Sequence, residues 1–310
     1  AFYGLRTTIV ALVLLALLRI KRPEALKEHA PPELGRLLGL DRAPEVKTLR
    51  KKLALLASQG AAERFGRELA RRRVAERGRM LGFLYIDGHV RVYHGKHKIP
   101  KAHVPQLRLA VPGTTDYYVN DKHGEPLFVV TAEANAGMVK MLLQLTPEIR
   151  SLVGEKRRPT IVFDRGGWSP RLFAQLLVQR FDVLTYRKGR VDKIAERLFK
   201  SQGARIDSRK VSYRLHDKRV TLLNGDLRLR QVTRLTEDGH QTTILTSRFD
   251  LKAIEVAYRM FERWRQENFF KYMRDEFAID ALVEHAAEPD DPTRTVPNPA
   301  RRGSRRVEEV

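Results

Sequence analysis

The spacing of apolar residues changes twice along the chain, near Met80 and again near Lys188. Before Met80 it is helical. Thr8 to Ile20 is an almost unbroken apolar run, bracketed by Arg6 and Arg19. It is shorter than the roughly 18–20 residues that a bilayer crossing needs. Lys21 and Arg22 follow it, not the small residues of a signal-cleavage site. The run therefore predicts a buried helix. Residues 23–29 open on a proline, as helices often do. Residues 31–40 predict a short helix ending near Gly39. Residues 41–57 predict another, with Leu49, Leu53 and Leu56 on one face and Arg50, Lys51 and Lys52 near the other. Residues 63–79 carry an arginine cluster at 71–73, suited to phosphate contact or to plain solvation. Short helix, glycine turn and basic helix outline a helix-turn-helix. A helical bundle with a solvated basic face produces the same pattern.

From residue 81 the runs shorten and alternate. Residues 81–87, 90–95, 107–111, 115–120 and 126–132 predict strands, with a turn at 121–126. A helix over 136–154, a strand over 160–164, a helix over 169–180 and a strand over 181–187 follow. This succession predicts an α/β sheet led by several antiparallel strands. Residues 188–249 predict a β-rich insertion. Residues 250–285 predict one long helix or two, with Asp250 available as N-cap. Residues 286–310, rich in Pro, Asp, Arg and Ser, predict a flexible tail. There is no internal repeat.

Composition narrows the partner. The 310 residues include 59 Lys and Arg against 37 Asp and Glu, a formal charge of +22. Such an excess favours a polyanion through phosphate neutralisation and counterion release. Nucleic acid leads; ribosomal association and anionic membrane surfaces are the competitors. At 42% hydrophobic residues the chain is too apolar for a disordered protein. The absence of cysteine excludes disulfides, thiolate metal sites and a cysteine nucleophile. Ala1 opens inside what reads as a helix, which suggests further sequence upstream.

Candidate chemistry lies in three acidic residues. Asp87 closes the run FLYID and precedes Gly88. Asp164 closes TIVFD and precedes Arg165, Gly166 and Gly167. Ligands of open α/β sheets gather at the carboxyl ends of strands. Two carboxylates on adjacent strand ends would attract a hard cation. Taken singly, each is also an ordinary loop-start or capping residue. Glu267 shares a helical face with Arg263, Lys271 and Arg274 at spacings of four, four and three. An exposed ion-pair ladder would use the same residues, but Phe261, Trp264, Phe269 and Phe270 crowd these turns and imply packing. His94, His97 and His103 do not have the spacing of a zinc finger or of a helical pair. With Lys96, Lys98 and Lys101 among them they suit a DNA-contact loop better. His89 follows Asp87 closely enough to lie near bound ions. Trp168 could stack on an unpaired base, though covering a helix start is the favoured role. No GxxxxGK[ST] loop and no nucleophile elbow occur.

YIDGH, IVFDRGGWSP and ERWRQENFFKYMRDEF closely resemble the three catalytic blocks of bacterial insertion-sequence transposases of the DDE superfamily, the IS-four-like group. That group's helical signature is Tyr, Arg three positions on, Glu four further and Lys seven further. Arg263 and Glu267 match it. Its Tyr position falls on Met260, with Tyr258 two residues earlier, and its Lys position on Arg274. The resemblance covers about 79–280, and the helical N-terminal segment also looks like relatives of the group. It implies a ribonuclease-H-like mixed sheet flanked by helices over 79–285, with the β-rich insertion at about 188–249, after a helical DNA-binding region over 1–78. It implies two Mg²⁺ or Mn²⁺ ions, with Asp87 bridging both and Asp164 and Glu267 each completing one. Ions about 3.5–4 Å apart would stabilise the attacking and leaving oxygens of an in-line phosphoryl displacement. Water would cut at the transposon end, and the freed 3′-hydroxyl would attack target DNA. Arg263, Lys271 and Arg274 would hold phosphates, and Arg50, Lys51 and Lys52 would contact DNA from the N-terminal region. The implied partners are terminal inverted repeats, target DNA and further copies of the chain on paired ends, without a membrane, in the bacterial cytoplasm at the nucleoid. A metal-dependent endonuclease without strand transfer and an inactive DNA-binding remnant are the alternatives.

Overall fold

The computed structural model describes residues 3–76, 81–93, 98–104 and 109–279. His94, Lys96, His97 and the tail at 286–310 lie outside the described residues, as does the side chain of His103. The chain forms two compact units. One comprises the residues up to Glu68, Val90–Thr114 and those from Phe270 onward; the other comprises Leu69–His89 and Thr115–Phe269.

The first unit holds the N-terminal helices. They are α1 (Leu5–Leu17), a 3-10 helix (Pro23–Glu28), α2 (Pro31–Leu37), α3 (Val46–Ser58) and the start of α4 (Ala61–Glu76). Leu15, Leu26, Leu34, Ala43 and Leu49 form their core. α1 is apolar on nearly every side, so one face stays exposed at Val10, Val13 and Leu17. α3 begins at Val46, not at Asp41. Pro44 disfavours helical backbone at the residue before it, so the helix starts only beyond it. Arg50 hydrogen-bonds Glu24, which ties α3 to the 3-10 helix. In the same unit a short strand, β2 (Lys101–Val104), pairs antiparallel with Leu109–Pro112.

The second unit is built on a mixed sheet. β1 (Phe83–Val92) and β3 (Leu109–Asn120) enter it with their Phe83–His89 and Thr115–Asn120 portions. The other strands are β4 (Pro126–Glu133), β5 (Thr160–Phe163), β6 (Asp182–Tyr186), β7 (Lys200–Ile206), β8 (Arg209–Leu222), β9 (Leu227–Leu235) and β10 (Gln241–Thr246). Their order is β4-β3-β1-β5-β6-β10-β9-β8-β7. β1, β5 and β6 run parallel, and β10 returns antiparallel beside β6. This is the expected mixed sheet with helices, and the strands between residues 188 and 249 continue that same sheet.

Alternation along the strands explains its two covered faces. Leu84, Ile86, Ile161, Phe163 and Val183 face one way and pack with α5 (Met138–Val153) and α6 (Pro170–Val178). Phe83, Tyr85, Val162 and Leu184 face the other way and pack with α7 (Ala253–Phe261). Strands buried on both faces read as continuous apolar runs, which is why TIVF and FLYI look as they do.

Several boundaries differ from the sequence pattern. Among the described residues, β1 (Phe83–Val92) joins parts of the runs at 81–87 and 90–95, and β3 (Leu109–Asn120) joins parts of those at 107–111 and 115–120. A glycine inside each pair of runs resembles a turn but is accommodated within the extended strand. β7 has no counterpart in the sequence pattern, because its apolar positions are few. The long C-terminal helix is two, α7 and α8 (Trp264–Phe277), divided at Glu262 and Arg263. Asp250 does not cap α7. Its carboxylate is taken by Arg248 through bonds of 2.7 Å, and Lys252 occupies the cap position.

Candidate active site

β1 and β5 pair in parallel with Phe83 opposite Thr160, Leu84 opposite Ile161 and Tyr85 opposite Val162. Continued by two residues, the same register sets Asp87 opposite Asp164. Neighbouring strands lie about 4.8 Å apart, so two negative side chains are brought close. Asp87 is therefore not at a strand end, as its sequence context suggests, but inside β1, where the strand passes from fully to partly buried. Its Oδ1 accepts the Gly88 N–H at 3.0 Å. Gly88 is closely packed: a Cβ would lie 3.0 Å from the Tyr117 ring and 3.1 Å from the Thr115 methyl, so both side chains would have to give.

Asp164 caps the 3-10 turn Arg165–Gly167, and its Oδ1 accepts the Gly166 N–H at 2.8 Å. Gly167 packs so tightly on Phe163 that a Cβ would come within 2.4 Å of the ring. The glycine pair after Asp164 thus serves local turn geometry and packing. Trp168 stands edge-on to Phe173, 5.5 Å between centroids, which is the packing role.

Electrostatics tie the aspartates together. The Asp87 carboxyl is pushed up to about 6, first by burial and then by the charge of Asp164, against the pull of Arg263 and the Gly88 N–H. The Tyr117 hydroxyl is pushed up to about 12 by burial and by the charges of Asp87 and Asp164. An unshielded pair of carboxylates in a partly desolvated place attracts a cation.

Arg263 supplies that cation. Its Nη1 donates to Asp87 Oδ2 at 2.9 Å and its Nη2 to Glu267 Oε1 at 2.8 Å. The Arg263 side chain is 13% exposed. Burial opposes its charge, but Asp87, Glu267 and Asp164 outweigh that and hold it protonated. Because α7 and α8 are separate, Arg263 sits in the turn between them and reaches both β1 and the first turn of α8.

A residue that sequence reasoning missed places α8. Gln266 is buried, and its Nε2 lies 3.1 Å from Asn120 Oδ1, 3.3 Å from the Tyr118 carbonyl and 3.4 Å from the Tyr85 carbonyl. The start of α8 is thereby fastened to β1 and β3. The Tyr85 hydroxyl donates to the Arg259 carbonyl at 2.8 Å and fixes the end of α7 to β1. Glu262, in the turn, pairs with Arg265 and, at 3.5 Å, with Arg209. A signal existed in the pattern: Gln266 falls on the stripe of Phe270, Met273 and Phe277, where an apolar residue is expected.

The expected single pocket of three carboxylates is not assembled. Among the described residues no group of three His, Asp or Glu side chains is gathered closely enough to hold a metal ion. Asp87 and Asp164 oppose each other, whereas Glu267, 59% exposed, is turned onto Arg263. Like charges separate unless a cation joins them, and the guanidinium joins only Asp87 and Glu267. As a donor set, carboxylate oxygens suit Mg²⁺ or Mn²⁺. Arg263 holds one oxygen of Asp87 and one of Glu267, so both would have to be released before either served an ion.

The remaining candidates stand elsewhere. His89 shares the β1 face of Asp87 by strand alternation. Lys271 and Arg274 are exposed farther along α8, in the first unit, with Arg274 3.5 Å from Asp275. Lys51 is exposed and Lys52 half-buried on α3, beside the Arg50 already engaged by Glu24. Within the arginine cluster at 71–73, Arg73 donates to the Pro126 carbonyl. No helix among the described residues is long and apolar enough to cross a membrane.

A family model described as "Transposase protein" matches residues 1–308 of the chain. No curated protein matches it in sequence. Among solved structures it is similar to the piggyBac transposase in its synaptic complex with hairpin DNA, at 11% identity and a TM-score of 0.42, over 63% of this chain and 41% of that one. It is also similar to the Mos1 transposase in its paired-end complex with the left transposon end, at 11% identity and a TM-score of 0.23, over 59% of this chain and 58% of that one. The Mos1 strand transfer complex matches at 12% identity and a TM-score of 0.23, over the same shares of the two chains. The chain thus spans less than two thirds of the length of each.

Proposed function

This chain belongs to the transposase protein family, and from that premise we propose that it cuts DNA at transposon ends and joins the freed ends to target DNA, as a member of the IS-four-like DDE group. The observation that carries the reading is the Arg263 bridge. It draws Asp87 and Glu267 onto one guanidinium, while Asp87 lies near enough to Asp164 to feel its charge. Residues from three distant stretches of sequence converge, in the order and structural context that the resemblance implies.

Asp87, Asp164 and Glu267 would hold Mg²⁺ or Mn²⁺, two ions in all. When bound, such ions make a nucleophile of water near neutral pH and stabilise charge on a transferring phosphoryl group. The side chains do the rest. Asp87 must be ionised to act as a ligand, so its raised pKa makes loading depend on pH. Gly88 and Gly166 each hold one oxygen of an aspartate through their N–H groups, and the second oxygen of Asp87 is taken by Arg263. Gln266 keeps Glu267 at the same end of β1. In the first displacement a water oxygen bonds to phosphorus, and the 3′ oxygen leaves with a proton. In the second, the oxygen of that 3′-hydroxyl bonds to the phosphorus of a target phosphodiester and gives up its proton, while the target's own 3′ oxygen leaves and takes up a proton. The helical region over 1–78 would bind the terminal inverted repeats, with Lys51 and Lys52 as contacts, and 79–285 would be the catalytic part. Lys271 and Arg274 would add phosphate contacts. A homo-oligomer on paired ends, at the bacterial nucleoid, completes the reading.

The test uses supercoiled plasmid carrying the element's ends, with Mg²⁺ or Mn²⁺. Cut and joined products that vanish in Asp87→Asn are expected. Cutting without joining would make the protein an endonuclease. A DNA shift with intact plasmid would make it a binding remnant.

A further inference from the structure

Resting on the metal-dependent reading above, we propose that Arg263 is the resident counter-ion of the metal-free site, so that a divalent cation and this guanidinium compete for Asp87 and Glu267 and a DNA phosphate loads the metal by drawing Arg263 away. The geometry is specific. One guanidinium nitrogen is bonded to each carboxylate, at 2.9 and 2.8 Å, and the side chain is mostly buried. It occupies the position between two carboxylates that a shared cation would take. It also explains why three acidic side chains fail to gather: Glu267 is held by a cation that belongs to the chain itself.

A buried guanidinium does not leave two carboxylates without another anion to receive it. Guanidinium binds phosphate in the same forked manner as carboxylate, so the DNA backbone is the natural acceptor. Arg263 lies in the turn between α7 and α8, where a side chain can swing without unwinding either helix. Metal and DNA binding are then linked: each raises the affinity of the other by the same factor. Free protein would keep a poorly loaded, inert site, and cutting would await DNA. Arg263 acts here as a positioning residue for Glu267 and as a gate on the cation.

Mn²⁺ binding to the full chain tests this by calorimetry, with and without a short duplex of arbitrary sequence. Without DNA, Arg263→Gln should bind Mn²⁺ at least ~10-fold more tightly than wild type, about 1.4 kcal/mol. Arg263→Lys keeps the charge but lacks the planar fork that spans the two carboxylates, and should fall between them. The duplex should raise Mn²⁺ affinity in wild type and leave it nearly unchanged in Arg263→Gln. Equal or weaker DNA-free binding by Arg263→Gln and Arg263→Lys, or a duplex effect that survives the substitution, would overturn the proposal while leaving the metal site intact. If no form of the protein binds Mn²⁺, with or without DNA, the metal reading falls and the gate with it. Should Arg263→Gln fail to fold, the Lys variant alone decides: no gain over wild type refutes the competition.

Discussion

Replacing Asp87 by Asn should stabilise the metal-free protein while abolishing DNA cleavage. The Asp87 carboxyl is raised from an ordinary 3.8 to about 6, by burial first and by the neighbouring Asp164 second, even with Arg263 beside it. A raised folded-state value means that the fold favours the neutral form. The sign follows: stability contributed by the protonated group is complete below about pH 4 and is lost as pH rises through about 6. Each tenfold difference in proton affinity between the folded and unfolded chain is worth about 1.4 kcal/mol, so the full loss is of order 3 kcal/mol at pH 8. Asn is neutral at every pH and can still accept the Gly88 N–H. The variant should thus exceed wild type by roughly 1–3 kcal/mol at pH 8 and by under ~1 kcal/mol near pH 4. Urea unfolding in EDTA, followed through Trp168 and Trp264, measures the difference at both values. The reasoning is refuted if the gap is the same at the two pH values, or if the variant is the less stable at pH 8. Mn²⁺ should reverse the order, because only wild type has the ligand.

Three further outcomes concern other parts of the molecule. Gln266→Leu leaves its buried backbone and Asn120 acceptors unpaired, which should cost about 1–3 kcal/mol; strand cleavage should fall further than bulk stability accounts for, as Glu267 loosens, and equal losses measured by kinetics and unfolding would deny the positioning role. Gly167→Ala pushes a methyl into the Phe163 ring and should destabilise by about 1–3 kcal/mol in thermal unfolding; a neutral result would mean that the turn after Asp164 is free to shift. If α3 contacts DNA phosphates, Lys51→Ala with Lys52→Ala should weaken binding to all sequences and reduce the salt slope by about one per lost contact. An unchanged slope would assign these lysines to solvent.

How far the sequence reaches is visible in particular residues. FLYID and TIVFD are legible as buried strands because parallel strands covered on both faces must be apolar throughout. Their aspartates are legible only as a pair, because a single charge ending such a run also serves as a cap, as Asp164 does. Periodicity likewise announces the N-terminal helices, α5, α6 and the amphipathic stretch that bears Glu267. It does not distinguish a glycine within a strand from one at a turn, so Gly88 and Gly113 look like breaks where β1 and β3 run straight through. Nor does it predict that β10 will pair with β6, since strand neighbours depend on register across some sixty residues of chain. Gln266 looks like any helical glutamine until three acceptors surround it. Arg263 looks like a phosphate contact until two carboxylates close on it.

The amino-acid sequence alone determined which residues are able to bind cations, which elements carry them and what charge the whole molecule presents, because those properties are local and chemical. Only the tertiary structure decided that Asp87 faces Asp164 while Glu267 is held by an arginine instead of joining them. Coulombic balance in a half-buried site is a property of distances, and distances between remote segments exist only after the sheet and its helices have packed.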